Sequence, residues 1–348
     1  MVTRATEFKK EAPHFGKKQK NNNLIDTIDV RLFSYAGNAP VDISEDISRL
    51  TQYLTAATKN DTELAKVLAY WIMQNIDYDV KAFLDGTYNN SGFQSTLHSR
   101  KGVCQDYSDL YKAMCDKVGI TCYVVTGYAK GLGYKTGNDF NTSNHAWNII
   151  VIDNNYYLMD LTWGSGNVTY SNNVLKYFRK ADVNQLFAAP EKFIERHLPC
   201  NPQWQLLNYP VSMQSILKSD DFGDMTKGLP ELYNYKDSIA AANKLNPLEQ
   251  EIKLAEDSYR FFPLLNDLAF HYYNVAMKHS LNGYKLATQA TYNENDLLIA
   301  IADYKKSIQI LTTLGKLPAN KYTGLIAGGI ASSNQNIEYS TFRLNNKK

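Results

Sequence analysis

The chain has 348 residues, 44% hydrophobic and 12% aromatic, and its 37 basic against 35 acidic side chains leave a net charge of +2. That length suits two domains with separate cores, and so balanced a charge excludes a global electrostatic drive toward nucleic acid or anionic membrane. Four cysteines (Cys104, Cys115, Cys122 and Cys200) are too few for a disulfide scaffold and lack the paired spacing of a zinc site. No apolar run approaches the ~18 residues of a membrane-spanning helix, so no transmembrane segment is expected. The start MVTRATEFKK has no apolar signal region; either the protein works inside the cell or an export signal preceded this start, and the compartment stays open.

Residues 1–39 read as a flexible N-terminal arm, polar through the KK, KKQK and NNN runs up to about residue 25. Helical periodicity begins near Asp42, with Ile47, Leu50, Tyr53 and Leu54 on one face. Asp61-Thr62-Glu63 opens a second helix with carboxylates in its first turn, where the dipole favours them. Leu64, Val67, Leu68, Trp71 and Ile72 form its apolar face, and Tyr78 and Asp79 are expected to close it. After the DGTYNNSG loop, RKGVCQDYSDLYKAMCDKVGI reads as an amphipathic helix. Its stripe is Tyr107, Leu110, Tyr111, Met114, Cys115 and Val118, and Gly119 is its stop. Cys115 is expected to be buried on that stripe. ITCYVVTGYA follows as a strand with Cys122 inside it; a Cys115–Cys122 bridge and two free thiols both fit. KGLGYKTGNDFNTSN reads as a mobile loop, and no helix pattern follows Gly131-x-Gly133 to make it a phosphate cradle.

HAWNIIVIDNNYYLMDLTWGSG has the pattern of a hairpin. Pro199, Pro202 and Pro210 then punctuate a link. Beyond it come two long helical runs, FFPLLNDLAFHYYNVAMKH and NENDLLIAIADYKKSIQILTTLG, and a third helix over 319–346 weakened by Gly324, Gly328 and Gly329. The expected organisation is α+β: the arm, a core over 40–210 in which a cysteine-bearing helix packs on an antiparallel sheet, and a helical unit over 211–348.

Cys104 stands in the first turn of its helix, where unpaired backbone N–H groups and the positive end of the dipole favour an anion; thiols at such places ionise readily. A nucleophilic thiol needs a base and a group to orient it. His145 opens the first hairpin strand beside a polar loop and is the best placed of six histidines. It shares a face with Trp147, Ile149 and Val151, and Asp160 shares one with Leu158 and Tyr156. A turn centred on Asp153-Asn154 sets His145 opposite Thr162, with Asp160 its diagonal neighbour at roughly 7–8 Å between Cβ atoms. A turn on Asn154-Asn155 moves them apart unless a bulge intervenes. His197, His271 and His279 have no matched partners in the sequence and read as surface or packing residues.

GVCQDYSDLYKAM followed by NHAWNIIVIDNNYYLMDLTWG resembles the transglutaminase-like superfamily. YWIMQNIDYD resembles the upstream segment of its kyphoscoliosis-peptidase type, and FIERHLPCNPQWQLLNYP a stretch that follows the core in bacterial members. The resemblance covers residues 40–210 and implies a papain-like core, with Cys104 as nucleophile, His145 as general base and acid, and Asp160 orienting His145. It implies attack on a protein or peptide amide carbonyl through a thioester, resolved by water or by an amine. The backbone N–H of Cys104 is the first oxyanion donor, Gln94 or a tryptophan (Trp147 or Trp163) the second. No cofactor is implied, and the sequence has no calcium loop of the EF-hand type, so no metal is expected. The other class of reading is a catalytically silent scaffold that binds protein or polysaccharide, with a protein partner for the C-terminal helices.

Overall fold

The computed structural model describes residues 27–87, 92–132, 134, 143–211, 232–247, 249–250, 253–254, 257–258, 266–316 and 323–346. Among the described residues the first element is α1 (Val30–Gly37), inside the stretch expected to be a flexible arm; residues 1–26 of that arm lie outside the described residues. Asp29 caps α1 by accepting from the Leu32 N–H, and Leu32 and Ala36 are fully buried. Two core positions in eight residues make too short a pattern to read from the sequence. α2 (Ile47–Thr55) and α3 (Asp61–Asn75) follow, capped by Asp46 and Asn60. From Val67 to Met73 every residue of α3 is buried, so the expected one-sided helix is enclosed nearly all round.

The chain does not close that helix with Tyr78 and Asp79. Tyr78 lies in β1 (Asp77–Tyr78), which pairs in parallel with β2 (Lys101–Gly102), and Asp79 caps α4 (Val80–Asp85). α5 (Phe93–Ser99) occupies ground read as loop. Then comes α6 (Cys104–Val118), ended by Gly119 at a left-handed φ of 80°.

One five-stranded sheet organises the centre, in the order β8-β5-β4-β3-β9. Its strands are β3 (Thr121–Ala129), β4 (His145–Ile152), β5 (Asn155–Met159), β8 (Leu186–Ala188) and β9 (His197–Pro199), and every neighbouring pair is antiparallel. Between β5 and β8 lie a short helix, α7 (Leu161–Ser165), and a separate hairpin of β6 (Gly166–Ser171) and β7 (Val174–Arg179). A further short helix, α8 (Pro190–Phe193), precedes β9. The hairpin β4–β5 turns on Asp153 and Asn154, both at left-handed φ (50° and 59°), and sets Ile152 opposite Asn155, the first of the two registers considered. The α+β architecture of a cysteine-bearing helix on an antiparallel sheet is therefore the one observed.

Strand alternation divides the core. Cys122, Ile150, Ile152 and Met159 point into the cluster that holds α1, α3 and the α6 stripe of Tyr107, Leu110, Tyr111, Met114 and Cys115. Val125, Trp147, Ile149 and Leu158 point the other way, onto Phe193, Leu206 and Ile239. Ile239 belongs to α9 (Tyr235–Ala242), which the sequence had grouped with the C-terminal helices; here it covers the second face of the sheet, and Asn243 just beyond it donates to the Tyr123 hydroxyl at 2.8 Å. All four cysteines are free thiols.

The last helices, α10 (Asn266–Thr288), α11 (Glu294–Leu314) and α12 (Thr323–Asn345), pack in sequence order. α12 forms despite its three glycines. At Gly329 a Cβ would lie 2.8 Å from Leu311 Cδ1, so a larger residue there would require the Leu311 side chain to shift. Among the described residues no helix is long and apolar enough to cross a membrane.

Leu110 is fully buried between α6 and the sheet, whereas Leu84 is 64% exposed. Leu110→Ala is expected to cost about 2–5 kcal/mol and Leu84→Ala under about 0.5 kcal/mol, as read from urea denaturation midpoints at constant slope.

Candidate active site

Three backbone devices position the sequence-selected side chains. The first places Cys104. Asp106 reaches back from the first turn of α6 to accept the Val103 N–H at 2.8 Å, which starts the helix at Cys104. The reach depends on Gly102, where a Cβ would fall 2.5 Å from the Asp106 Cβ. Burial raises the Asp106 pKa, opposed by the Val103 N–H. Cys104 itself is half-buried.

The second device places His145, the first residue of β4, opposite Gly127 of β3. The third places Asp160, and it differs from the cross-strand geometry expected. The β4–β5 ladder ends at the Asn148–Met159 pair, and His145 and Asp160 do not meet as diagonal strand neighbours. Instead the chain leaves the sheet at Asp160 and turns into α7, which Asp160 caps by accepting the Trp163 N–H on Oδ1 at 3.0 Å. Its other oxygen, Oδ2, is thereby presented to His145 Nε2 at 2.8 Å.

That oxygen has a second histidine. His197 Nε2, from β9, lies 2.9 Å from Asp160 Oδ2, and the His197 ring is 2% exposed. Reading His197 as a surface or packing residue without a partner is thus corrected: strand β9 adds to the sheet edge beside β3 and carries the ring in. The only hint in the sequence was its place in the FIERHLPCNPQWQLLNYP stretch; nothing in local pattern pairs residues 37 positions apart. His279 is corrected likewise, since its Nδ1 lies 2.7 Å from Asp303 Oδ1 between α10 and α11. The side chain of His271 lies outside the described residues, as does most of the loop expected to be mobile over 130–144.

Charge distribution follows from these contacts. Asp160 is fully buried, which would raise its pKa, but the two imidazoles outweigh burial and hold it well below the usual carboxylate range. For His145 burial acts against the charged form, yet the Asp160 carboxylate and, after it, the Cys104 side chain raise its pKa from 6.5 to about 10. For His197 burial prevails over Asp160, and its pKa falls. An ionised carboxylate only accepts, so each Nε2 carries the proton. That leaves Nδ1 as the His145 nitrogen that does not face Asp160.

His145 and Trp163 line a cleft of about 630 Å³ together with Tyr78, Phe83, Leu132 and Arg196. Arg196 lies over the Trp163 ring at 4.8 Å and donates to the Lys130 carbonyl at 2.8 Å. Of the remaining candidates, Trp147 is 1% exposed in the second core cluster, 6.0 Å from the His145 ring, and belongs to the wall behind the site. Its ring packs edge-on against Phe193 at 5.7 Å. Gln94 is exposed on the first turn of α5, whose inward face is Thr96 and Leu97, and it is not among the cleft-lining residues. His145, Asp160 and His197 are also spaced to hold a metal ion, but a metal would have to replace the two N–H protons that join the rings to the carboxylate.

Comparison with known proteins points the same way. Residues 48–161 match the profile of the Transglutaminase-like superfamily. A kyphoscoliosis peptidase of Mus musculus is 33% identical over 199 residues, 55% of this chain and 29% of its own length. The Homo sapiens kyphoscoliosis peptidase is 32% identical over 181 residues, 51% of this chain and 26% of that one. The Lim and transglutaminase domain protein ltd-1 of Caenorhabditis elegans is 24% identical over 176 residues, 47% and 24% of the two chains. The match thus spans under a third of the length of these curated relatives.

The raised His145 pKa has a consequence for stability. A group whose folded pKa lies above its unfolded value stabilises fully below the unfolded value, and that stabilisation is lost as pH rises through the folded one. The His145 contribution is therefore present below pH 6.5 and lost between 6.5 and about 10. Urea midpoints measured across that window are expected to fall with pH in the wild type and to fall less steeply in His145→Gln.

Proposed function

We propose, for a chain whose core belongs to the transglutaminase-like superfamily, that it is a thiol enzyme acting on protein or peptide amides. Cys104 attacks the amide carbonyl. His145, whose raised pKa keeps the ring charged at neutral pH, already holds the thiol proton on Nδ1 and delivers it to the leaving amine. Asp160 holds the imidazole by Nε2–H and balances the charge it gains. The product of the first step is a thioester, with the amine released; water then gives an acid, or a second amine gives a new amide. The observation that carries this reading is a buried imidazole held by a buried carboxylate at 2.8 Å, with a half-buried thiol in the first turn of α6 acting on the charge of that ring.

The remaining parts of the reaction have supporting features. As the first residue of α6, Cys104 has an N–H with no acceptor inside the helix, which suits it to hold the oxyanion. The open cleft beside His145, walled by Tyr78, Phe83, Leu132 and Trp163, offers an aromatic and apolar surface to an extended polypeptide. Hydrolysis is favoured over amine transfer, since among the described residues of the lining Asp182 is the one acid and water needs no site of its own.

The test is incubation with a peptide library and a labelled amine. Cleaved or deamidated peptides identify hydrolysis, aminated ones transfer. Cys104→Ala is expected to lower either product by about 10⁴-fold or more, and Asp160→Asn by at least about a hundredfold. Absence of every product, together with iodoacetamide labelling of Cys104 no faster than that of a free peptide thiol, would leave a binding scaffold.

A further inference from the structure

We infer that His197 is a positioning residue of the thiol site, whose Nε2–H fixes the Asp160 carboxylate in the orientation His145 requires; the inference rests on the triad reading above. Without His197 the carboxylate has one anchor that is independent of His145, the Trp163 N–H on Oδ1. A single anchor permits rotation about the Cβ–Cγ bond. His197 supplies the second anchor on Oδ2, the same oxygen that faces His145, at 2.9 Å against 2.8 Å. The carboxylate plane is then set whether or not His145 is donating to it, as it must be while the His145 proton count changes through a reaction cycle.

His197 is built for this work. Its ring stacks on Phe193 at 3.9 Å and 12° and packs against Trp163 at 4.3 Å and Trp147 at 5.3 Å. Its backbone is paired to Ala129 across the sheet. The neutral ring has one N–H for two acceptors, the Asp160 carboxylate at 2.9 Å and the Phe193 carbonyl at 3.3 Å. The nearer and charged acceptor takes it, which leaves Nδ1 bare. A doubly protonated His197 would set a second buried cation 5.5 Å from His145, between ring centres, with one carboxylate to serve both.

Two amide variants separate the ring's contacts, because glutamine Nε2 reproduces the reach of histidine Nε2 to Asp160, whereas asparagine Nδ2 reproduces that of Nδ1 to Phe193. The readout is the rate of Cys104 alkylation by iodoacetamide, scored apart from peptide turnover. His197→Gln is expected to stay within about threefold of the wild type and His197→Asn to fall about tenfold or more. Equal rates in the two variants, or a faster His197→Asn, overturn the inference. A second measurement needs no variant: nitrogen NMR of the wild type should show His197 as the neutral Nε2–H tautomer, and an Nδ1–H tautomer overturns the inference even if the variants fail to fold. Lack of peptide turnover with the Nε2–H tautomer present counts against the enzyme reading alone; turnover with the Nδ1–H tautomer counts against the role of His197 alone.

Discussion

A carboxylate with no solvent exposure is the constraint around which the centre of this protein is arranged. Asp160 is ionised and 0% exposed, a condition that costs several kcal/mol unless donors replace the lost water. The donors come from three directions: the first turn of α7, the start of β4 and the edge strand β9. Each requires a separate part of the chain to be in place. The site is therefore a product of the sheet order, and removing one donor would leave the others facing a poorly compensated charge.

The sheet also seats the helix that carries the thiol. The apolar stripe of α6 lies against Cys122, Ile150, Ile152 and Met159, so the helix has one way to sit on the sheet. Its first turn then meets the start of β4. Asn148 ties the two elements further by donating to the Ser108 carbonyl of α6 at 3.0 Å from inside the sheet. Because the helix is anchored along its length, its N-terminus is a rigid place from which to present a side chain.

The opposite face of the sheet has an equally specific cover. Trp147 and Ile149 lie under Phe193, Leu206 and Ile239, the last from α9. Phe193 stacks on the His197 ring and Trp147 meets it edge-on, so the packing of this second core bears on the site through aromatic contacts. The region after residue 190, which reads as a proline-punctuated link, is thus part of the support of the site.

The sequence by itself determined what depends on neighbours a few residues apart. The α6 stripe, the Gly119 stop, the strands β3 and β4, the Asp153-Asn154 turn as one of two registers, and the position of Cys104 at a helix start all follow from local periodicity and capping chemistry. It also singled out His145 and Asp160, by their place on the hairpin and by family resemblance. Tertiary structure decided the rest. α1 and the short strands β8 and β9 are fixed by pairing and burial against distant elements, and they carry too few residues to declare a period. Asp160 meets His145 through the cap of α7 instead of a strand diagonal, because the ladder ends one residue earlier. His197 reaches the carboxylate only because β9 joins the sheet edge beside β3, a contact between segments that no local signal in the chain could couple.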